Sequence, residues 1–222
     1  MADNRPVGFR IVHYGLVLLI VCGAASLALG YIFRKAQPNI ENNEKKRDEE
    51  ALQNLYSDIE NVEFTKKKAE TDGKTVTYRE ARKGDALIGY VASGSAKGYS
   101  SEIKVLVRTD IDITTVEAIK VTSSQETPGL GERIKETKSS NTLVNMITGE
   151  KKDESGLKPW FQEKFKALPV TDIALVASAD EERSGKGVLA ISGATVSSTG
   201  VVNAVNDAVR TLNAVLGKGT AK

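Results

Sequence analysis

Apolar and polar positions alternate in four different rhythms along this chain. Residues 11–33 contain no Asp, Glu, Lys or Arg, and at about 1.5 Å rise per residue they cross a bilayer as one helix. His13 and Tyr14 near one end, and Tyr31 and Phe33 near the other, suit the two interfaces. A cleaved signal peptide competes for the same stretch. Apolar residues continue past the small residues at 23–26 through Leu27, Leu29, Tyr31, Ile32 and Phe33, which favours an uncleaved anchor. Cys22 follows Val21 rather than a small residue, so it reads as a helix residue and not a lipidation site. Between 37 and 70 charge dominates. Within it Leu52, Leu55, Tyr56, Ile59 and Val62 form an apolar stripe that predicts an amphipathic helix over 48–62, with Lys66, Lys67 and Lys68 in a following loop.

The rhythm changes after the turn signal Asp72-Gly73. Residues 75–78, 86–92, 102–108 and 116–121 are short runs of β-formers separated by turn residues, which predicts an antiparallel meander. A helix and loop are expected over 141–153. Pro159 then opens a helical turn carrying Trp160, Phe161 and Phe165. A strand over 172–179, a charged turn at 180–185 and an apolar run at 187–191 lead to the last element. There Val201, Val202, Val205, Ala208, Val209, Leu212, Val215 and Leu216 recur at helical spacing. The fold class is α+β: an antiparallel sheet with packed helices, preceded by one N-terminal transmembrane helix. The plan is a tail at 1–10, an anchor at 11–33, a charged juxtamembrane helix and linker at 34–71, a domain at 72–217 and a tail at 218–222.

Composition narrows the chemistry. The 31 Lys and Arg nearly cancel the 29 Asp and Glu, and aromatic residues make up 5% of the chain. Neither a basic surface nor a stacking platform argues for nucleic acid. One Cys and one His rule out an internal disulfide, Cys ligation of an iron–sulfur cluster and, in the domain, a Ser-His-Asp triad or the usual zinc sites. No metal site and no catalytic acid or base is expected, so redox chemistry here requires an organic cofactor.

Two stretches carry candidate chemistry. Ser192-Gly193-Ala194-Thr195 lies where the apolar run meets the last helix. Ser197 or Ser198 can cap that helix, Gly193 and Ala194 leave room, and the N–H groups of its first turn favour an anion. The same residues are also ordinary turn chemistry. Glu126-Thr127-Pro128-Gly129-Leu130-Gly131 imposes a turn and permits close backbone approach to a flat ligand or another chain. Trp160 reads either as core or as a ring contact.

Ser192 to Thr195 with Val196-Ser197-Ser198 and Val201-Val202-Asn203-Ala204-Val205 resembles the flavinylation segment of the FMN-binding domain of the Rnf and Na+-pumping NADH:quinone oxidoreductase complexes. The Glu126 to Gly131 motif, about sixty residues earlier and in the family order, matches too. Gly98-Tyr99 and the strand after it also match the family, and the likeness covers about 78–216. The resemblance implies one covalent FMN, joined to Thr195 through a phosphoester by a flavin transferase acting in trans. It implies that Ser192, Gly193, Ala194, Ser197, Glu126, Thr127, Pro128, Gly129, Leu130 and Trp160 line the cofactor. The family's usual target has an acidic residue three positions before the Ser; Leu189 stands there.

The reading that follows is a membrane-anchored electron-transfer protein of the G type in an Rnf-type complex, which couples electron flow between ferredoxin and NAD to ion movement. Its partners are the other membrane subunits, the flavin transferase and the bilayer. Compactness and the residues at 201–205 favour the G type over the C-type component of the Na+-pumping reductase. Another flavin relay, and an anchored interaction module without flavin, are the alternatives. Arg5 and Arg10 before the anchor are outnumbered by Arg34, Lys35, Lys45, Lys46 and Arg47 after it, so charge counting puts the domain in the cytoplasm. The resemblance puts it on the outer face of the cytoplasmic membrane, and a domain without Cys is compatible with export.

Overall fold

The computed structural model describes residues 7–71, 74–137 and 159–217. The turn at Asp72 and Gly73, the helix and loop expected over 141–153, and the tail at 218–222 lie outside the described residues. The chain forms two compact units, Met1–Glu49 and Glu50–Lys222. Through the first runs helix α1, Val7–Leu55, which carries the uncharged stretch and is long and apolar enough to cross a membrane. Its apolar side chains are exposed, Leu19 at 71% and Leu27 at 78%, the surface that hydrocarbon would cover.

The second unit is built on a six-stranded antiparallel sheet in sequential order, β1 to β6. The expected meander is present as β2 (Lys74–Lys83), β3 (Ala86–Lys97), β4 (Glu102–Thr109) and β5 (Thr115–Ser123), with β6 (Leu168–Pro169) closing one edge. The other edge corrects the sequence reading. Lys66, Lys67 and Lys68 do not form a loop; they lie in β1 (Glu63–Thr71), paired with Arg79, Tyr78 and Thr77 of β2. Lysines on an edge strand discourage further pairing, which is why the run looked like solvated linker.

The expected helix over 48–62 is also shorter. α1 ends at Leu55, and Tyr56 to Asn61 turn back toward the sheet, Asn61 adopting a positive φ. The apolar stripe was nonetheless real. Ala51, Leu52, Leu55 and Tyr56 pack with Ala81, Val91 and Leu106, and Ile59 and Val62 lie against them. Arg108 closes this junction. Its side chain donates to the Leu55 carbonyl (2.9 Å), Asp58 (2.8 Å) and Glu117 (2.6 Å), and its guanidinium lies 4.2 Å from the Tyr56 ring centroid. Burial works against its charge, but the hydrogen bond to Asp58 and the charges of Glu117 and Asp58 outweigh it and raise its pKa.

The opposite face of the sheet packs the last helix, α3 (Thr195–Leu216). Because side chains alternate along a strand, Ala92, Val105 and Val107 face this larger core while Val91 and Leu106 face the other. Gly200, Ala204 and Ala208 form a stripe of small residues along α3. At Gly94 the backbone of β3 comes so close that an added Cβ would lie 2.6 Å from the Ala208 nitrogen and collide with the Ala204 carbonyl. Further along, the Gly98 Cα sits 3.1 Å from where a Cβ on Gly200 would be. This close passage carries the end of β3 to the start of α3.

The segment before α3 departs from expectation. In place of one strand over 172–179 there is a 3-10 turn at Val170–Asp172, then β7 (Leu175–Val176), which pairs in parallel with β8 (Val188–Leu189). The charged residues at 180–185 are not a plain turn. Ala179–Arg183 is a short helix, α2, whose Ser178 and Glu181 form a reciprocal capping box.

Candidate functional site

Three loops meet at the N-terminus of α3: residues 98–101 after β3, residues 126–131 after β5, and residues 190–194 after β8. Glu126 joins the first two to the helix. Its carboxylate accepts the N–H groups of Tyr99, Ser100 and Ser101, each at 3.1 Å, together with the hydroxyls of Ser101 and Ser197. Burial pushes the Glu126 carboxyl up, but the bonds from Ser197 and from the Ser101, Ser100 and Tyr99 amides outweigh it and hold the group below the ordinary glutamate value. Gly131 and Gly98 make this arrangement possible. A Cβ on Gly131 would strike the Ser197 hydroxyl and lie 2.7 Å from Glu126 Oε2; one on Gly98 would lie 2.6 Å from Oε1.

The helix start differs from the expected capping. Neither Ser197 nor Ser198 is the N-cap: α3 begins at Thr195, its N-cap is Ala194, and no side chain caps it. Ser197 is spent on Glu126. Ser198 is buried, accepts the Ile191 N–H (3.0 Å) and donates to the Ala194 carbonyl (3.0 Å), tying the turn to the helix. Helix geometry leaves the first N–H groups without intrahelical partners, and without a side-chain cap those of Thr195, Val196 and Ser197 point out of the helix start.

Around them the surface is open. Ser192, Gly193 and Thr195 are exposed, as are Thr127, Pro128, Gly129 and Leu130. Gly193 has φ +78°, and the nearest atom to a Cβ there is Leu130 Cδ2 at 3.7 Å, so the two motifs are in contact. Gly129 also has positive φ, and Thr127 bonds to Ser100 through its hydroxyl at 3.2 Å. Trp160 is half-buried against the main core, between Arg133 and Lys164, whose charged ends lie 6.0 and 5.3 Å from its ring centroid.

The structure thus brings Glu126, Thr127, Leu130, Ser192, Gly193, Ala194, Thr195 and Ser197 into one neighbourhood. It separates them by exposure: Glu126 and Ser197 are buried and bonded to each other, while Thr195 is open to solvent. Sequence reasoning gave Ser198 the wrong role, as a cap, and missed the amides at 99–101, Arg133, which donates to the Ser192 carbonyl at 3.4 Å, and the pair Lys164 and Glu182 beside Leu189. No spacing rule points to them; the one available hint was Gly98, a small residue at the end of a strand.

The arrangement fits a phosphate-linked group. An exposed threonine stands as the first residue of a long, uncapped helix, where backbone donors and the helix dipole favour an anion. Small residues leave the approach open, and the buried carboxylate has its donors supplied from within the protein.

The FMN-binding domain family matches residues 98–210. The G-type component of an ion-translocating oxidoreductase complex from Methanosarcina acetivorans is 30% identical over 212 residues, covering 94% of this chain and 96% of that protein. The G-type component of a proton-translocating ferredoxin:NAD(+) oxidoreductase complex from Clostridium ljungdahlii is 25% identical over 200 residues, 90% of each. Among solved structures, NqrC of Shewanella oneidensis aligns with a TM-score of 0.43 at 18% identity, over 64% of this chain and 62% of that one. The C-type component of the Na(+)-translocating NADH-quinone reductase from Parabacteroides distasonis aligns with a TM-score of 0.43 at 19% identity, over 67% and 64%. The chain belongs to the FMN-binding domain family, among the G-type components of ion-translocating oxidoreductase complexes.

Proposed function

We propose that this chain holds one FMN, esterified through its phosphate to the Thr195 hydroxyl, and relays electrons inside an Rnf-type complex that couples electron transfer between ferredoxin and NAD to ion translocation. The observation that carries the attachment is the exposed Thr195 at the uncapped start of α3, where the two sequence motifs converge. The relatives' names supply the complex: one belongs to an ion-translocating oxidoreductase, the other to a proton-translocating ferredoxin:NAD(+) oxidoreductase.

In this reading FMN supplies the capacity to take up one or two electrons. The chain's residues do the rest. The amides of Thr195, Val196 and Ser197 receive the phosphate, and Ser192, Gly193 and Ala194 shape the turn beside it. Thr127, Pro128, Gly129, Leu130 and Trp160 flank the ring, while Glu126 and Ser197 hold the surrounding loops in place. The protein works only with its partners, which bring the ferredoxin, NAD and ion sites. A flavin transferase matures it, α1 anchors it in lipid, and the domain sits on the outer face of the cytoplasmic membrane. A tether suits that location, since FMN lost outside the cell is not replaced from a cytoplasmic pool.

The test is covalent flavin. Co-expressed with a flavin transferase, the full chain should keep a fluorescent band on a denaturing gel, and peptide mass spectrometry should place FMN on Thr195. Thr195→Ala should remove the band. Thr199→Ala should retain it, because the Thr199 hydroxyl is bonded to the Thr195 carbonyl at 2.8 Å. A colourless wild type, or FMN found on Thr199, defeats the assignment.

A further inference from the structure

Leu189 is the last residue of β8, three positions before Ser192, and an ion pair holds both of its backbone polar groups. Glu182 Oε1, from α2, accepts the Leu189 N–H at 2.8 Å. Lys164 Nζ donates to the same Glu182 oxygen at 2.8 Å and to the Leu189 carbonyl at 3.3 Å. The two side chains are 19% and 24% exposed, so these bonds are made largely out of water, where charge-assisted hydrogen bonds are strong. Two residues on, the Ile191 N–H is held by the Ser198 hydroxyl. The chain is therefore gripped at Leu189 and again at Ile191, immediately before it turns through Ser192 to Thr195.

We infer that Lys164 and Glu182 are positioning residues for the attachment turn: by clamping the N–H and C=O of Leu189 they set the path on which Thr195 is presented for modification. The inference rests on the reading of Thr195 as the attachment point. What distinguishes a clamp from an ordinary ion pair is the use of donor and acceptor chemistry. A lysine at 182 cannot accept the Leu189 N–H, and a glutamate at 164 cannot donate to its carbonyl. Exchanging the two residues keeps the opposite charges yet destroys both bonds to the backbone.

Four variants of the full chain in detergent test this: Lys164→Met, Glu182→Leu, Glu182→Gln, and the exchange Lys164→Glu with Glu182→Lys. Amide hydrogen exchange is measured on flavin-free protein, and covalent flavin loading on protein co-expressed with a transferase. In Lys164→Met, Glu182→Leu and the exchanged pair, the bonded amides of Leu189, Ile191 and Ala194 should lose protection by about tenfold, the equivalent of one charge-assisted hydrogen bond. The same three should load flavin about tenfold more slowly, with protection at 201–212 retained. Glu182→Gln keeps an acceptor oxygen but not its charge, and should fall between the wild type and Glu182→Leu in both measurements. Restored protection and loading in the exchanged pair would reduce Lys164 and Glu182 to an ion pair, and unchanged exchange in Lys164→Met and Glu182→Leu would overturn the clamp outright. A wild type that never carries covalent flavin would sink the Thr195 assignment instead, while the exchange data on flavin-free protein still judge the clamp.

Discussion

Glu126 and Thr195 belong to one small site and have opposite fates. Thr195 faces solvent; Glu126 is 6% exposed, and both its oxygens are occupied by donors from the loop at 99–101 and from Ser197. A carboxylate held below its ordinary pKa by such bonds stabilises the fold only while it is ionised. Its contribution is complete above the unfolded glutamate value and is lost as pH falls through the lower native one. Glu126→Gln should thus cost about 1.5–3 kcal/mol at neutral pH, the range for hydrogen bonds to a charged group. The gap between wild type and variant should narrow at a second, acidic pH below the ordinary glutamate range, where the wild-type carboxylate takes up its proton. Denaturant unfolding at the two pH values measures it; an equal gap at both would mean that the charge on Glu126 contributes nothing to holding the loops.

Between elements, the decisive contact is β3 against α3. Gly94 faces the stripe of Gly200, Ala204 and Ala208, and Ser95 donates its N–H to Asp207 at 3.1 Å, so strand and helix are fixed both sterically and by a hydrogen bond. Because the helix N-terminus is the site, any rotation of α3 on the sheet also moves Thr195 relative to Leu130. Gly94→Ala places a methyl group against the Ala204 carbonyl and the Ala208 nitrogen, neither of which can yield without bending the helix. Its expected cost is about 3 kcal/mol, at the upper end of overpacking, with reduced flavin loading. Thermal unfolding followed by Trp160 fluorescence checks this, and an unaltered midpoint would show that the helix shifts freely on β3.

Orientation in the membrane is a property of the full chain. The cationic residues after the anchor outnumber those before it, which by itself retains the domain in the cytoplasm, whereas long domains are translocated largely regardless of flanking charge. Lys45→Cys, in a chain whose Cys22 is replaced by Ser, should react with a membrane-impermeant thiol reagent in intact cells stripped of any outer membrane. Reaction only after lysis would place the domain inside and vindicate the charge count.

Periodicity and composition are local properties, and they carried the long apolar helix, the four meander strands and the last helix, whereas the two candidate site motifs were read from a family resemblance. They also identified Leu52, Leu55 and Tyr56 as buried while misjudging what lay around them. A run of three lysines reads as linker on polarity alone, yet it forms β1, because pairing with β2 satisfies its backbone whatever its side chains are. The same limit hid the second layer of the site and the Arg108 junction on the other face of the sheet. Ser197 meets Glu126 across 71 residues, Arg108 meets the Leu55 carbonyl across 53, and Lys164 meets the Leu189 carbonyl across 25. Such partners have no characteristic spacing. Each is a charged or hydroxyl side chain whose sequence neighbours equally suit a solvated surface, and its partner is chosen only when sheet and helix pack, leaving a buried donor or acceptor that must be satisfied.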